Sequence, residues 1–282
     1  MTHPPEQAAL FAAHDRMLHE AVEWLDATHA PIKGIGSRML MVLAARILQL
    51  GSALQRLCET GHAGEAAPIA RAMVSACVTL VYIAEDRGNR AAAYMETDRL
   101  ERKKRIRLIK EAGEAAKAKG TPPLYSDAEL TAIEQKDVEL SAIEDQKFAV
   151  LAKHGVVPTR LGPRKDTISG LNERDLFEAM NATYWYLAYY KLFSDEVHVS
   201  SNALSAELVE QLSGQSLVGA KFENPFHVLT ASREMVFNTL EQIDHAFGLG
   251  QHDKLDAIDA PILKALLAFR EPEAQAAPKT EA

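Results

Sequence analysis

Apolar residues recur along this chain every three or four positions, which is the spacing of a helix with a buried face, and no alternating strand pattern is evident. Capping residues and Pro or Gly breaks divide the pattern into successive helices. The predicted helices cover about residues 6–28, 37–60, 68–86, 89–119 and 126–154, an aromatic helix that begins after Ser169 or Asn172, and then residues 203–212, 225–247 and 255–269. The predicted fold class is therefore all-α, a multi-helix bundle.

Charge separates the two longest neighbouring segments. Residues 99–110 hold seven basic side chains and one acid, whereas residues 127–145 hold seven acids and one base. Between them, residues 120–123 (GTPP) end one helix, and a capping box at Ser126 starts the next. We predict a protruding charged αα-hairpin at about residues 89–154 whose arms neutralise each other. Contact of the basic arm with nucleic-acid phosphates is the less favoured alternative.

The hairpin is predicted to be an insertion in a single helical domain that covers residues 1–270. Residues 155–172 (GVVPTRLGPRKDTISGLN) are the one long irregular stretch, which is typical of a lid, a binding loop or a disordered segment. The polar residues 271–282 have little to bury, so we predict a disordered C-terminal tail there.

The composition is that of an ordinary soluble globular protein, with 47% hydrophobic residues, a net charge of −8 and a pI near 5.7. This charge argues against a general nucleic-acid coat and against a basic membrane-surface protein. Cys58 and Cys77 form no Cys-x-x-Cys motif, which favours a reducing, cytoplasmic location. No signal peptide is evident, and the longest uncharged apolar run, residues 72–84, is too short to span a bilayer, so no membrane association is predicted.

Residues 184–198 (YWYLAYYKLFSDEVH) are the strongest candidate for a functional site. They contain four of the seven tyrosines and one of the two tryptophans. On a regular helix Tyr190, Ser194 and His198 would stack along one face, which would place aromatic rings beside a titratable imidazole. The alternative is that the rings form interfacial core and that His198 is a packing residue.

A second candidate is a polar stripe on the apolar helix predicted at residues 68–86. Its members recur every three or four positions: Arg71, Ser75, Thr79, Tyr82 and Asp86. A buried Arg requires a partner, so the stripe is either a structural Arg–acid pair or one wall of a polar cleft. The residues of that candidate cleft are Arg71, Tyr82, Tyr190, Ser194 and His198.

With these features, the chain resembles a bacterial family known only as a domain of unknown function, DUF5677. The resemblance covers roughly residues 40–212 and rests on three features in order. They are an Arg-led apolar helix followed by a charged helix (residues 71–82 and 90–104), a Gly/Pro loop before an acidic helix start, and a Tyr-x-x-Phe-Ser-x-x-x-His segment at residues 190–198. Relatives usually carry an acid at the position of Ser75. The family implies an all-helical fold and no established activity.

A weaker likeness is to HEPN proteins, helical bundles of which many are RNA-cleaving toxins or defence factors. Their Arg-x(4–6)-His motif matches only Arg56–His62 here, and chance predicts such a match. A nuclease site would instead combine Arg71 and His198 from two helices. His198 would be the general acid/base, and Arg71 would stabilise the charge on the phosphate.

Three functional hypotheses follow. We favour a non-catalytic binding module that uses the aromatic helix and the charged hairpin, because no complete catalytic constellation is visible. The alternative is a metal-independent, HEPN-like ribonuclease or defence factor. The partner is unassigned: a protein, RNA or a second copy of the chain all remain open.

The third hypothesis is a di-metal bundle. Glu59-x-x-His62 and Asp195-x-x-His198 are carboxylate-x-x-His pairs of the type that such bundles use. Gly61 weakens the first pair because it ends the helix before His62. No cofactor is predicted and no metal ligand is assigned.

Overall fold

The computed structural model describes residues 3–28, 33–197 and 225–276 of the chain. Every regular element within these ranges is helical, which confirms the all-α prediction. In chain order the elements are α1 (Pro5–Ala27), α2 (Gly34–Glu59), α3 (Ala67–Glu85), α4 (Arg87–Ala118), α5 (Asp127–Lys153), α6 (Glu173–Ala179), α7 (Thr183–Trp185), a π-helical turn (Tyr186–Tyr190), α8 (Lys191–Val197), α9 (Phe226–Phe247) and α10 (His252–Ala276). The helix predicted at residues 203–212 lies outside the described residues.

The chain divides into two compact units. Of the described residues, those within segments 1–33, 37–84 and 177–282 form unit 1, and those within segments 34–36 and 85–176 form unit 2. Unit 2 therefore contains the charged hairpin and the irregular loop that follows it. The single domain over residues 1–270 stays a prediction.

The core of unit 1 forms because its helices bury apolar rows at helical spacing. α1 packs on both α9 and α10, and its buried row includes Leu10, Met17 and Ala21. α3 contributes fully buried side chains such as Met73 and Cys77. Packed helices of this kind gain most of their stability from the apolar area that they remove from water.

Two of these helices also meet the length and composition criteria of a membrane span. They are α2 and α3, with mean hydropathies of 1.2 and 1.7 over an 18-residue window. Half of each window is buried inside the protein, and core helices of soluble proteins meet the same criteria. The two helices are thus compatible with the predicted soluble protein, in which they form part of the core of unit 1.

Two helix boundaries differ from the predictions. α2 begins at Gly34, so Ser37, predicted from the sequence to cap this helix at its start, is instead a buried residue inside it. The chain is already helical at Gly36, where a Cβ atom would overlap the backbone carbonyl of Arg87, so a close backbone approach explains this glycine. α10 runs from His252 to Ala276 and so extends past the predicted end at residue 269 into the stretch predicted to be a disordered tail. Residues 277–282, the rest of the predicted tail, lie outside the described residues.

Complementary charge joins the two arms of the hairpin in unit 2, as predicted. Arg102 of α4 binds two carboxylates of α5: its Nε lies 2.6 Å from Asp137 and its Nη2 lies 2.8 Å from Glu144. The Arg99 guanidinium lies 2.5 Å from the carboxylate of Asp145. Lys110–Glu134 and Lys117–Asp127 add ion pairs towards the tip. The Ser126–Glu129 capping box is formed.

The hairpin has almost no hydrophobic interior. α5 contains 27 residues and buries none of them. Four apolar side chains on α5 are well exposed: Val138 at 62%, Leu140 at 37%, Ile143 at 47% and Val150 at 54%. The last three lie on one side of the helix, with Val138 on another. An exposed apolar row on so long a helix is typical of a surface that binds a partner.

The irregular loop at residues 155–172 is an ordered part of unit 2. Arg160 attaches it to α4 through Glu96 at 2.6 Å and Thr97 at 3.0 Å. Within the loop, Gly162 and Gly170 approach so closely that a Cβ atom on either would overlap the backbone of the other. Gly170 also has a positive φ of 78°, which glycine tolerates best. The structure shows an ordered stretch, so the interpretation of residues 155–172 as a disordered segment was wrong.

Candidate functional site

The aromatic segment is broken into short pieces, not one helix. Asn172 caps α6 by accepting a hydrogen bond from the Asp175 N–H at 2.9 Å, and Asn181 (φ 55°) separates α6 from α7. A π-helical turn follows, in which the Lys191 N–H bonds to the carbonyl of Tyr186, five residues back. A π-turn inserts one extra residue and so changes which side chains share a face.

Trp185 and Tyr189 point at the same carboxylate. The indole N–H of Trp185 lies 2.7 Å from Oε1 of Glu234 on α9, and the Tyr189 hydroxyl lies 2.5 Å from Oε2. Burial raises the pKa of Tyr189, and the hydrogen bond to Glu234 raises it further. Tyr189 therefore stays a neutral donor, and both oxygens of Glu234 are occupied. This half of the aromatic cluster attaches the segment to α9.

Tyr186 and Tyr190 form a second pair that faces a different side of unit 1. Their rings stack with centroids 5.5 Å apart and planes 15° apart. Phe177 packs against both rings at 5.4–5.5 Å. Tyr190 is buried, with 5% of its surface exposed. These contacts are those of interfacial core, the alternative to a ligand-stacking platform.

Arg71 of α3 meets this second pair. Its Nη2 donates to the Tyr190 hydroxyl at 2.7 Å, and its Cζ lies 4.8 Å from the centroid of the same ring. Among the residues described, the partner is thus a phenol and not the carboxylate of a structural Arg–acid pair. A half-buried guanidinium can be held in this way because part of it stays solvated and the ring face attracts its charge.

The structure brings together only part of the predicted cleft. Arg71 and Tyr190 are in contact, but the Ser194 hydroxyl donates to the Tyr190 backbone carbonyl at 2.7 Å. Tyr82 has no exposed surface. His198 lies outside the described residues, so its place beside Arg71 stays a prediction.

In the part of the chain that the structure describes, the side chains do not form the ligand set that the di-metal hypothesis requires. No group of three or more His, Cys, Asp and Glu side chains there is arranged to hold an ion. His62 follows the end of α2 and lies 3.7 Å from Glu65, while the Glu59 carboxylate accepts a hydrogen bond from Gln55. The Asp195/His198 pair is not tested, because His198 is not described.

Comparison with known proteins places the chain in a family. A family described as a family of unknown function (DUF5677) matches residues 38–216, which is more than half of the chain. The chain belongs to DUF5677. The resemblance inferred from the sequence is thereby confirmed. No curated protein matches the chain, and neither does any solved structure.

The DUF5677 match includes all five predicted site residues but brings no activity to them. In this DUF5677 chain, the contact that sequence reasoning missed is Glu234, which lies beyond the matched range. The i, i+4 spacing of Trp185 and Tyr189 indicates two donors on one face. No pattern in the sequence identifies their acceptor, because α9 lies about forty residues further along the chain.

Proposed function

We propose that this DUF5677 protein is a non-catalytic interaction module whose partner-binding surface is an exposed apolar row on hairpin helix α5. We define this surface, the α5 seam, as Leu140, Ile143, Lys147 and Val150. The observation that carries the proposal is that α5 buries none of its 27 residues while three apolar side chains of the seam are 37–54% exposed. Covering such a row is favourable, because each Å² of apolar surface removed from water contributes about 25 cal/mol.

The α5 seam is shaped to receive a helix. Its members are spaced three, four and three residues apart, which is the pattern of a coiled-coil contact surface. Ile35 forms the opposite wall of a groove of about 420 Å³ along Ile143, Lys147 and Val150. The partner side chains would therefore be those of an amphipathic helix, with apolar residues at the same spacing.

Part of the aromatic segment supports the same proposal, because three of its aromatic side chains are engaged within unit 1. Trp185, Tyr189 and Tyr190 hold the segment to Glu234 and Arg71 and leave little of their surface free. We accordingly assign these three aromatic–polar contacts a packing role within unit 1. The cytoplasmic location belongs to this proposal as well: both thiols are free and buried, as in a reducing compartment.

The test is affinity capture from a lysate of the native host with three baits: wild type, Ile143→Glu and Val138→Glu. Val138 is a matched control because it is 62% exposed on α5 but lies off the seam. We expect one polypeptide, which includes a second copy of this chain as a candidate, to bind wild type and Val138→Glu and to be lost with Ile143→Glu. Equal capture by all three baits would show that the seam is not the binding surface.

A second measurement tests the non-catalytic part. Purified wild type and His198→Ala are incubated with total RNA at high enzyme and low salt, each with and without EDTA. The proposal expects no difference between the two proteins. Cleavage by wild type that survives EDTA and is lost in His198→Ala would replace it with a metal-independent ribonuclease.

A further inference from the structure

We infer that the partner of the α5 seam is the α5 seam of a second copy, packed antiparallel about a two-fold axis. This inference rests on the proposed function and names its partner. The first reason is geometric. In an antiparallel pair whose axis lies level with residue 145, Leu140 of one copy lies opposite Val150 of the other, and Ile143 lies opposite the aliphatic stem of Lys147.

Charge complementarity selects this arrangement. Glu139 and Lys153 occupy the same flanking position of the heptad repeat, two repeats apart, and both are exposed. In the same register, Glu139 of one copy lies about two residues, roughly 3 Å along the axis, from Lys153 of the other. The two-fold axis forms this opposite-charge pair twice, and Gln146, also flanking, meets Gln146 of the second copy.

Competing registers are less favourable. A shift of one heptad in one direction places Lys147 opposite Lys136 of the second copy, and a shift in the other direction carries Leu140 beyond the end of α5 at Lys153. A parallel pair brings Glu139 beside Glu144 of the second copy. Two of these alternatives place like charges together and the other leaves Leu140 uncovered. In the favoured register the two copies of Glu144 come near each other, but each is neutralised by its own Arg102.

Within unit 2, α4 leaves this side of α5 uncovered, and Ile35 lines the groove beside Ile143, Lys147 and Val150. Asp137 and Glu144, which bind α4, lie on one flank of the seam, each directly after a position of its repeat. Glu139 and Gln146 lie on the other flank. On a helical wheel the seam centre is about 80° from the face that contacts α4. Helices in a four-helix bundle have two neighbours at about this angle, so two hairpins joined through their seams form such a bundle.

The experiment is sedimentation of the full chain across about 1–100 µM. The variants are Ile143→Glu, Glu139→Lys, Lys153→Glu, the double variant Glu139→Lys/Lys153→Glu, and Val138→Glu as the off-seam control. Far-UV circular dichroism checks that each stays helical; the seam residues are exposed, so the fold does not depend on them. We expect a wild-type dimer, loss of association in Ile143→Glu and no change in Val138→Glu. Each single charge reversal acts twice about the axis and should weaken association roughly tenfold, and the double variant should restore it.

A folded wild type that stays monomeric at 100 µM would overturn the self-pairing. A dimer that the double charge reversal does not restore, or that Val138→Glu disrupts as strongly as Ile143→Glu, would overturn the register. The proposed function fails separately: it falls only if no polypeptide is captured in an Ile143-dependent manner. A monomer that captures a different polypeptide through the seam would refute the inference and leave the proposed function standing.

Discussion

His14 makes the stability of unit 1 sensitive to mild acid, and His14→Gln should remove most of that sensitivity. His14 of α1 has no exposed surface, and its Nε2 lies 2.9 Å from the hydroxyl of Ser232 on α9. Burial lowers the pKa of His14 to about 4, although its interaction with the Gln55 side chain opposes the shift. The imidazole is therefore neutral in the folded protein at neutral pH.

The sign and size of the effect follow from this pKa. Because the folded value is below the unfolded value of about 6.5, the unfolded chain binds the proton more readily, and the free energy of unfolding falls as the pH drops from about 6.5 to 4. The full difference of some 2.5 pH units corresponds to roughly 3 kcal/mol. Between pH 7 and pH 5, before most carboxylates titrate, the loss through His14 is about 2 kcal/mol.

Urea denaturation followed by far-UV circular dichroism at pH 7, 6 and 5 measures this loss. We expect wild type to lose about 2 kcal/mol more between pH 7 and pH 5 than His14→Gln does, whatever the absolute stability of the variant. His19→Gln is the matched control on the same helix, since the His19 side chain is 74% exposed, and it should follow wild type. Identical pH dependence in wild type and His14→Gln would refute the reasoning.

Two further substitutions test unit 2, each against a matched control. Gly170→Ala combines a positive φ with overlap on the carbonyl of Gly162, so it should lower the free energy of unfolding by well over 1 kcal/mol. The control Gly155→Ala has a positive φ but open space around the new Cβ, so it should lower the free energy of unfolding by only about 1 kcal/mol. Equal losses for the two variants in urea denaturation would contradict the close approach of Gly162 and Gly170. Arg102→Met removes the hydrogen bonds to two carboxylates of α5 and should destabilise the hairpin by roughly 2 kcal/mol, seen as faster limited proteolysis within it. Lys103→Met, on the exposed side of α4, should leave the rate near wild type, and a similar acceleration in both variants would show that overall charge and not the pairing matters.

Much of the helical architecture was predictable because its signals are local. The Ser126–Glu129 capping box, Pro68 in the first turn of α3 and the opposite charges of residues 99–110 and 127–145 all act within a turn or between adjacent helices. Short-range hydrogen bonds and ion pairs of this kind depend on spacing alone. The prediction that the two arms neutralise each other was therefore confirmed, while the individual ion pairs came from the structure.

The candidate site was predictable only in part. Its location on the aromatic segment and on α3 followed from composition and spacing, and the Arg71–Tyr190 contact joins those two elements. The single helix predicted from about residue 172 onwards was wrong, since Asn181 interrupts it and a π-turn follows at Tyr186–Tyr190. Tyr190 and Ser194 keep the helical spacing that the sequence predicted. A π-turn forms when tertiary packing stabilises one extra residue in the helix, so residue spacing carries no sign of it.

The sequence by itself determined that this chain is helical, where most helices begin and end, how the hairpin is neutralised and to which family the chain belongs. Tertiary structure alone decided that Glu234 receives Trp185 and Tyr189, that His14 is fully buried, and that α5 keeps an apolar seam exposed. The physical reason is range. Caps, breaks and charge pairs act between neighbours in the chain, whereas burial and the choice of a distant partner depend on which surfaces the packed helices bring together.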